Sequence, residues 1–203
     1  MATTNHRASQ AGRPREFDIT DAIQDAMNVF WTRGYHATSL PELLTGTGLS
    51  RGSLYKAFGD KRALFLRALD HYIDAALQRL SDSLATQGSA KAAIRAAVER
   101  HVPLSSGEAG RRGCLVVATA TEMLPHDPEI ATRIERMLRR IQDLFAGAIL
   151  RGQTDGEIPS DRDEHDLARF LVCQIEGMRI LGKAGATRRD MASIVDTAMR
   201  CLD

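Results

Sequence analysis

Apolar residues recur every three or four positions along nearly the whole chain, and no window alternates apolar with polar residues as a half-buried strand would. That spacing predicts an all-α fold of about nine helices with no sheet. The first helix follows Asp18 on the stripe Ile19, Ile23, Ala26 and Phe30, with Met27 beside it. Asp18 or Thr20 caps its start and Gly34 ends it. A short second helix follows Thr38 and Ser39, with Pro41 in its first turn and Leu40, Leu43 and Leu44 on one face. Gly46 and Gly48 interrupt the chain, and Ser50 caps a third helix over 51–58 that turns Leu54 and Phe58 inward together. A long helix over 61–87 comes next, then one over 89–102 ended by Pro103, then a Gly/Ser-rich loop carrying Arg111 and Arg112. A short apolar helix over 114–124 precedes a longer one opened by Asp127, Pro128 and Glu129. After a break at 154–159, two helices over 163–184 and 187–202 complete the chain.

The 203 residues suffice for one domain or two small ones with a substantial core. Lys plus Arg number 27 against 26 Asp plus Glu, a formal net charge of +1. Binding to nucleic acid therefore requires a local basic patch rather than a polycationic chain. The longest apolar runs are as short as Cys114 to Ala118, far below the ~20 residues of a membrane span. The N-terminus lacks the apolar centre of a secretory signal. Three widely separated cysteines, Cys114, Cys173 and Cys201, suit reduced thiols in a cytoplasmic protein. None sits at CxxC spacing, so neither a cysteine-built metal site nor a cofactor is expected.

Helix, glycine-containing turn and helix over 40–58 follow the helix-turn-helix pattern, in which the second helix enters a major groove. Arg51 and Lys56 suit phosphate or guanine, and Ser53 and Tyr55 bring hydroxyls to phosphate or base edges. Gly52 removes a side chain where backbone must come close. Thr38 and Ser39 sit at a helix N-terminus that attracts phosphate. Lys61 is a cation at the start of a helix, a poor place for it unless an outside anion is near. Arg7, Arg13 and Arg15, with no acid among residues 1–15, make a short basic arm or a merely solvated tail. A helical hairpin with no role in DNA binding would show the same spacing.

The run Gly12 to Arg15, the run Phe30 to Ser39 and the run Gly48 to Lys61 together resemble the TetR/AcrR family of bacterial transcriptional regulators. The resemblance implies a homodimer with three domains of sequence: a basic arm over 1–15, a helix-turn-helix DNA-binding domain over 16–62 and an effector-binding and dimerisation domain over 63–203. It places Thr38, Ser39, Arg51, Gly52, Ser53, Tyr55, Lys56 and Lys61 on double-stranded operator DNA, with Arg13 and Arg15 as a minor-groove arm. It implies an unidentified small-molecule effector among the middle helices. Tyr72, His101, Cys114, Val117, Thr121, Glu122, Met123, Phe145 and Glu176 are the candidates there. It also implies a four-helix dimer interface from the last two helices. Phe170, Leu171, Gln174, Met178 and Leu181 form a stripe on the first, and Ile194, Val195 and Ala198 on the second. The same stripes suit an intramolecular core, and periodicity does not separate the two.

The function implied is that of a ligand-responsive repressor with no enzymatic activity. Cys114 opens a helix directly after Arg111, Arg112 and Gly113, which favours a thiolate. The Arg-Gly-Cys-Leu run resembles a branch of the family that includes thiol-sensing repressors, so a sensor role for Cys114 stands beside a structural one. A cysteine-dependent enzyme pairing Cys114 with His101 or His126, and a helical module without DNA, are the remote alternatives. The glycines from Gly46 to Gly52 miss the dinucleotide fingerprint by one residue and follow no strand. Asp127 with His126 reads as a helix start rather than a metal site, and the acids from Asp161 to Asp166 as first-turn charges.

Overall fold

In the computed structural model, which describes residues 17–203, Asp18 opens α1 (Ile19–Arg33) by accepting the amides of Thr20 at 2.6 Å and Asp21 at 3.3 Å. Such a cap satisfies donors that have no partner within the helix. Arg13 and Arg15 lie outside the described residues. Gly34, at φ 84°, ends α1 in a conformation that side chains with a Cβ rarely adopt. Ser39 and Glu42 form a reciprocal capping box at the start of α2 (Leu40–Thr47). Gly48, at φ 67°, then turns the chain into α3 (Arg51–Phe58), which Ser50 caps. The three helices close over the first turns of α4 (Lys61–Leu84), where Phe30 meets Phe65 edge-on at 5.0 Å.

The expected helix over 89–102 is divided into α5 (Ala90–Glu99) and α6 (His101–Leu104). Pro103 sits inside the short α6, whose first turn needs no amide donor there. The expected Gly/Ser-rich loop contains another short helix, α7 (Gly107–Arg112). With α8 (Leu115–Met123), α9 (Pro128–Thr154), α10 (Glu164–Lys183) and α11 (Arg188–Met199), the described residues hold eleven α-helices and a final 3-10 turn. The excess over nine comes from these short pieces. The all-α class stands, and no strand occurs among the described residues.

The long α9 is the hub of the second half, packing against α4, α5, α8 and α10. Its inward residues Ile130, Ile134, Met137, Ile141 and Phe145 are all buried, at the spacing of one helix face. α10 runs so close to the Ser105 backbone that a Cβ on Gly182 would collide with the Ser105 carbonyl. Among the described residues, no helix is long and apolar enough to cross a membrane.

Candidate nucleic-acid interface and adjoining cavity

Leu54 and Phe58 anchor α3 to the core, and this fixes which residues face outward. Arg51, Gly52, Tyr55 and Lys56 are exposed, Tyr55 at 46%. An exposed tyrosine beside two cations and a glycine offers a hydroxyl, two charges and an open backbone along one helix face. The remaining expected contacts differ. Ser53 is half-buried, with its hydroxyl 2.9 Å from that of Ser50. Ser39 is exposed, but its hydroxyl bonds Glu42 within the cap. Lys61 places its ammonium 4.5 Å from the centre of the Tyr35 ring, a cation–π contact that gives the charge a partner inside the protein. Thr38 is 1% exposed and donates to the Gly34 carbonyl at 2.6 Å. Its side chain faces inward, because the turn after α1 needs a hydroxyl there, so it offers nothing to a surface ligand.

Several contacts tie the first helices to the rest of the chain. Glu122, expected in the effector pocket, accepts the Tyr35 amide at 2.9 Å and the His36 amide at 2.7 Å. Trp31 donates its indole N–H to the Gly113 carbonyl at 3.2 Å, and the Arg112 guanidinium lies 3.9 Å over its ring. Arg62 donates to Asp127 at 2.7 Å and to Glu129 at 2.9 Å. The Arg62 bond holds the Asp127 carboxyl down at about 2. Asp127 also caps α9, accepting the Ile130 amide at 3.1 Å.

Trp31 packs edge-on against Tyr72, and Tyr72 lines a cavity of ≈ 90 Å³. Ala76, Leu80, Ala97, Met137, Ile141 and Ile175 supply apolar wall. Tyr72, His101, Cys114 and Glu176 line it, as the sequence led us to expect, and Arg179 joins them. The other pocket candidates are elsewhere. Phe145 is fully buried in the core and Met123 is 6% exposed. Val117 is half-buried outside the cavity wall, and Thr121 is exposed, bonding the carbonyls of Val117 and Ala118. Glu122 is occupied at the turn after α1. Of α8 and its cap, only the cap residue Cys114 lines the cavity.

The cavity's polar groups are unevenly satisfied. The Tyr72 hydroxyl donates to the Cys114 sulfur at 3.4 Å, and burial, then the nearby thiol, push its phenol well above the usual range. Arg179 is spent on carbonyls: it donates to Leu104 and, at 2.6 Å, to Gly113. His101 Nδ1 and Glu176 Oε2 are buried without a partner. Burial, then the fields of Arg179 and Arg100, bring His101 down to about 4, so its imidazole is neutral at pH 7. Burial pushes the Glu176 carboxyl up, against a downward pull from Arg179. Sequence reasoning missed Arg179, although its signal was present. It falls on the buried face of α10 with Val172, Ile175 and Gly182, where an unpaired charge would be costly. No group of three or more His, Cys, Asp or Glu among the described residues could hold a metal.

The expected dimer stripe divides in two. Leu171, Met178, Val195 and Ala198 are buried at 2% exposure or less in the chain's own core. Phe170 and Leu181 are exposed at 40% and 46%, while Gln174 and Ile194 are half-buried. Ile180, at 55%, belongs with the exposed set. Periodic spacing merged the inner and outer faces of α10, because both are apolar.

Residues 22–68 match the family described as bacterial regulatory proteins, tetR family, and residues 90–198 match the tetracyclin repressor-like C-terminal domain. The uncharacterised HTH-type transcriptional regulator YezE of Bacillus subtilis (strain 168) is 34% identical, covering 95% of this chain and 100% of its own. The HTH-type transcriptional repressor ComR of Escherichia coli (strain K12) is 31% identical, over 93% of this chain and 90% of its own. Among solved structures, a cysteine mutant of the TetR family transcriptional regulator CifR, complexed with 26-bp double-strand operator DNA, superposes with a TM-score of 0.84. It is 32% identical and covers 95% of this chain and 100% of its own. Both halves of the fold thus match one family, and relatives align over more than nine-tenths of the sequence: the chain belongs to the TetR family of DNA-binding transcriptional regulators.

Proposed function

We propose that this cytoplasmic protein is a repressor that binds a palindromic operator as a homodimer and is released by a small molecule in the cavity. Residues 16–62 form the reading head and 63–203 the effector and dimerisation part, with the arm of Arg13 and Arg15 reaching the minor groove. The observation that carries the reading is the outward face of α3, where Arg51, Gly52, Tyr55 and Lys56 stand exposed opposite the anchors Leu54 and Phe58. Ser39, Ser53 and Lys61 border that face. The two copies meet through the outward side chains of α10, Phe170 and Leu181 among them.

The geometry supports a route from cavity to DNA. Cys114 lines the cavity and is the N-cap residue of α8. Glu122, near the other end of the same nine-residue helix, grips the turn before α2. A helix of that length is a rod of roughly 13 Å. A ligand that moves Cys114 therefore moves the grip on the reading head. It shifts the DNA-binding equilibrium by its differential affinity for the two conformers and by no more. A thiol-responsive form of the same route uses Cys114 itself, whose sulfur stands in the cavity wall beside the Tyr72 hydroxyl.

Footprinting on the gene's own upstream DNA, and on a selected random pool, tests the reading. Wild-type protein protects a palindrome, and its affinity falls steeply with salt as counterions are released. Tyr55→Ala and Lys56→Ala weaken binding about tenfold or more without lowering the melting temperature. Wild-type affinity in both variants would remove α3 as the reading helix. Loss of the footprint on oxidation in wild type, but not in Cys114→Ser, would select the thiol-responsive form.

A further inference from the structure

His101 and Glu176 line one cavity, and each holds a buried polar atom without a partner, Nδ1 and Oε2. A buried polar atom left unpaired is costly, so each residue is poised to reward a ligand group that completes it. The charges around them restrict what that ligand can be. Arg179 lines the same cavity, and the carbonyls of Leu104 and Gly113 already occupy its guanidinium. Arg100 donates to the Arg79 carbonyl at 2.7 Å. Arg79 also lines the cavity but is exposed, so solvent screens its charge; a ligand carboxylate would gain little from it and would face Glu176. A ligand ammonium would meet the fields of Arg179 and Arg100, the same fields that disfavour a proton on His101. Burying either ion without a dedicated partner is costly. A carbonyl compound only accepts hydrogen bonds, whereas a hydroxyl both donates and accepts. Most of the remaining wall is apolar, from Ala76 and Leu80 on α4 to Met137 and Ile141 on α9.

We propose that the cavity takes an uncharged, mainly apolar molecule bearing one hydroxyl, an alcohol or a phenol of one ring or a short chain, hydrogen-bonded by His101 and Glu176. The proposal rests on reading the cavity as the effector site, and it adds the chemical class of the effector.

Calorimetry on the reduced full-length protein at neutral pH tests it with two matched series. One is para-ethylphenol, para-ethylbenzoate and ethylbenzene, and the other is hexanol, hexanoate and hexylammonium. The hydroxyl compound of at least one series binds one per chain, at least tenfold tighter than its charged and unsubstituted counterparts. Glu176→Leu and His101→Phe each weaken that binding about tenfold. Glu176→Gln keeps it within about threefold, because a neutral hydrogen-bonding group remains. Thermal melts identify any variant that has simply unfolded, and Glu176→Gln, close to the native side chain in shape, then carries the comparison with wild type. Tighter binding of a carboxylate or the ammonium, or no binding of either hydroxyl compound, overturns the proposal. Operator affinity, measured in parallel, keeps the two readings apart. A hydroxyl compound that binds without weakening operator binding upholds the ligand class and overturns the effector role. Operator binding that is intact while no hydroxyl compound binds overturns the ligand class alone.

Discussion

Glu122 holds two successive backbone amides, those of Tyr35 and His36, with the two oxygens of one carboxylate. Gly34 makes room for it, since a Cβ there would sit 2.9 Å from Glu122 Oε2. Hydrogen bonds to a charged group contribute about 1.5–3 kcal/mol each when a partner is lost. Glu122→Ala is therefore expected to destabilise the turn by about 2 kcal/mol. The amides of Tyr35 and His36 then exchange hydrogen at least tenfold faster, and operator affinity falls, while the cavity still forms. Unchanged exchange at those two amides would show that the grip carries no energy. The family resemblance suggests Glu122 as a pocket residue. What redirects it is the space left by Gly34, 88 positions away in the chain, and no local pattern encodes that meeting. Tyr72, His101, Cys114 and Glu176 came from the family resemblance, and all four line the cavity, whereas Thr121 and Glu122 from the same source do not. Thr38 was misread for a related reason: a hydroxyl at a helix start looks the same whether it faces phosphate or the carbonyl of Gly34.

Helix starts were the most legible elements, because their chemistry is local. Asp18, Ser39, Ser50, Asp60 and Asp127 each accept an amide two or three residues on, the interaction that makes such residues cap formers. The break between α5 and α6 was not legible, since Arg100 carries no stop signal and Pro103 suggests a later end. The close pass of α10 over Ser105 was equally hidden, although Gly182 marks it. A Cβ at Gly182 meets the Ser105 backbone, carbonyl carbon included at 2.7 Å, and neither partner is a flexible side-chain end. Gly182→Ala should therefore cost about 2 kcal/mol or more through forced separation of the two segments. Gly147 lies in α9 with nothing within 4 Å of its would-be Cβ. Gly147→Ala should stabilise by about 0.5–1 kcal/mol through helix propensity alone. Urea unfolding of both variants checks the pair, and equal effects of the two substitutions would refute the close-pass account.

At the scale of the whole molecule, half of the large apolar side chains left exposed among the described residues fall on one helix. Phe170, Ile180 and Leu181 are exposed at 40%, 55% and 46% along α10, with Cys173 exposed and Gly177 half-buried between them at helical spacing. The opposite face of the same helix is packed into the core by Leu171, Ile175 and Met178. A helix apolar on both faces has more surface to bury than one chain can cover, and a second copy related by a two-fold axis presents the same face in return. On the function proposed above, that symmetry would also set two α3 helices against two half-sites of a palindrome. The double variant Ile180→Glu, Leu181→Glu should keep the helical content of the wild type, because neither side chain contributes to the core. In sedimentation it should run as a monomer, since paired copies would bury several carboxylates without partners. Operator affinity should then fall by about a hundredfold or more, because the second head no longer acts at the high effective concentration that linkage provides. A half-site duplex separates this from damage to the reading head: the variant binds it as tightly as a wild-type head does. A variant that stays dimeric would move the interface off this face of α10, and a dimer lost with full-site affinity intact would remove the need for two heads.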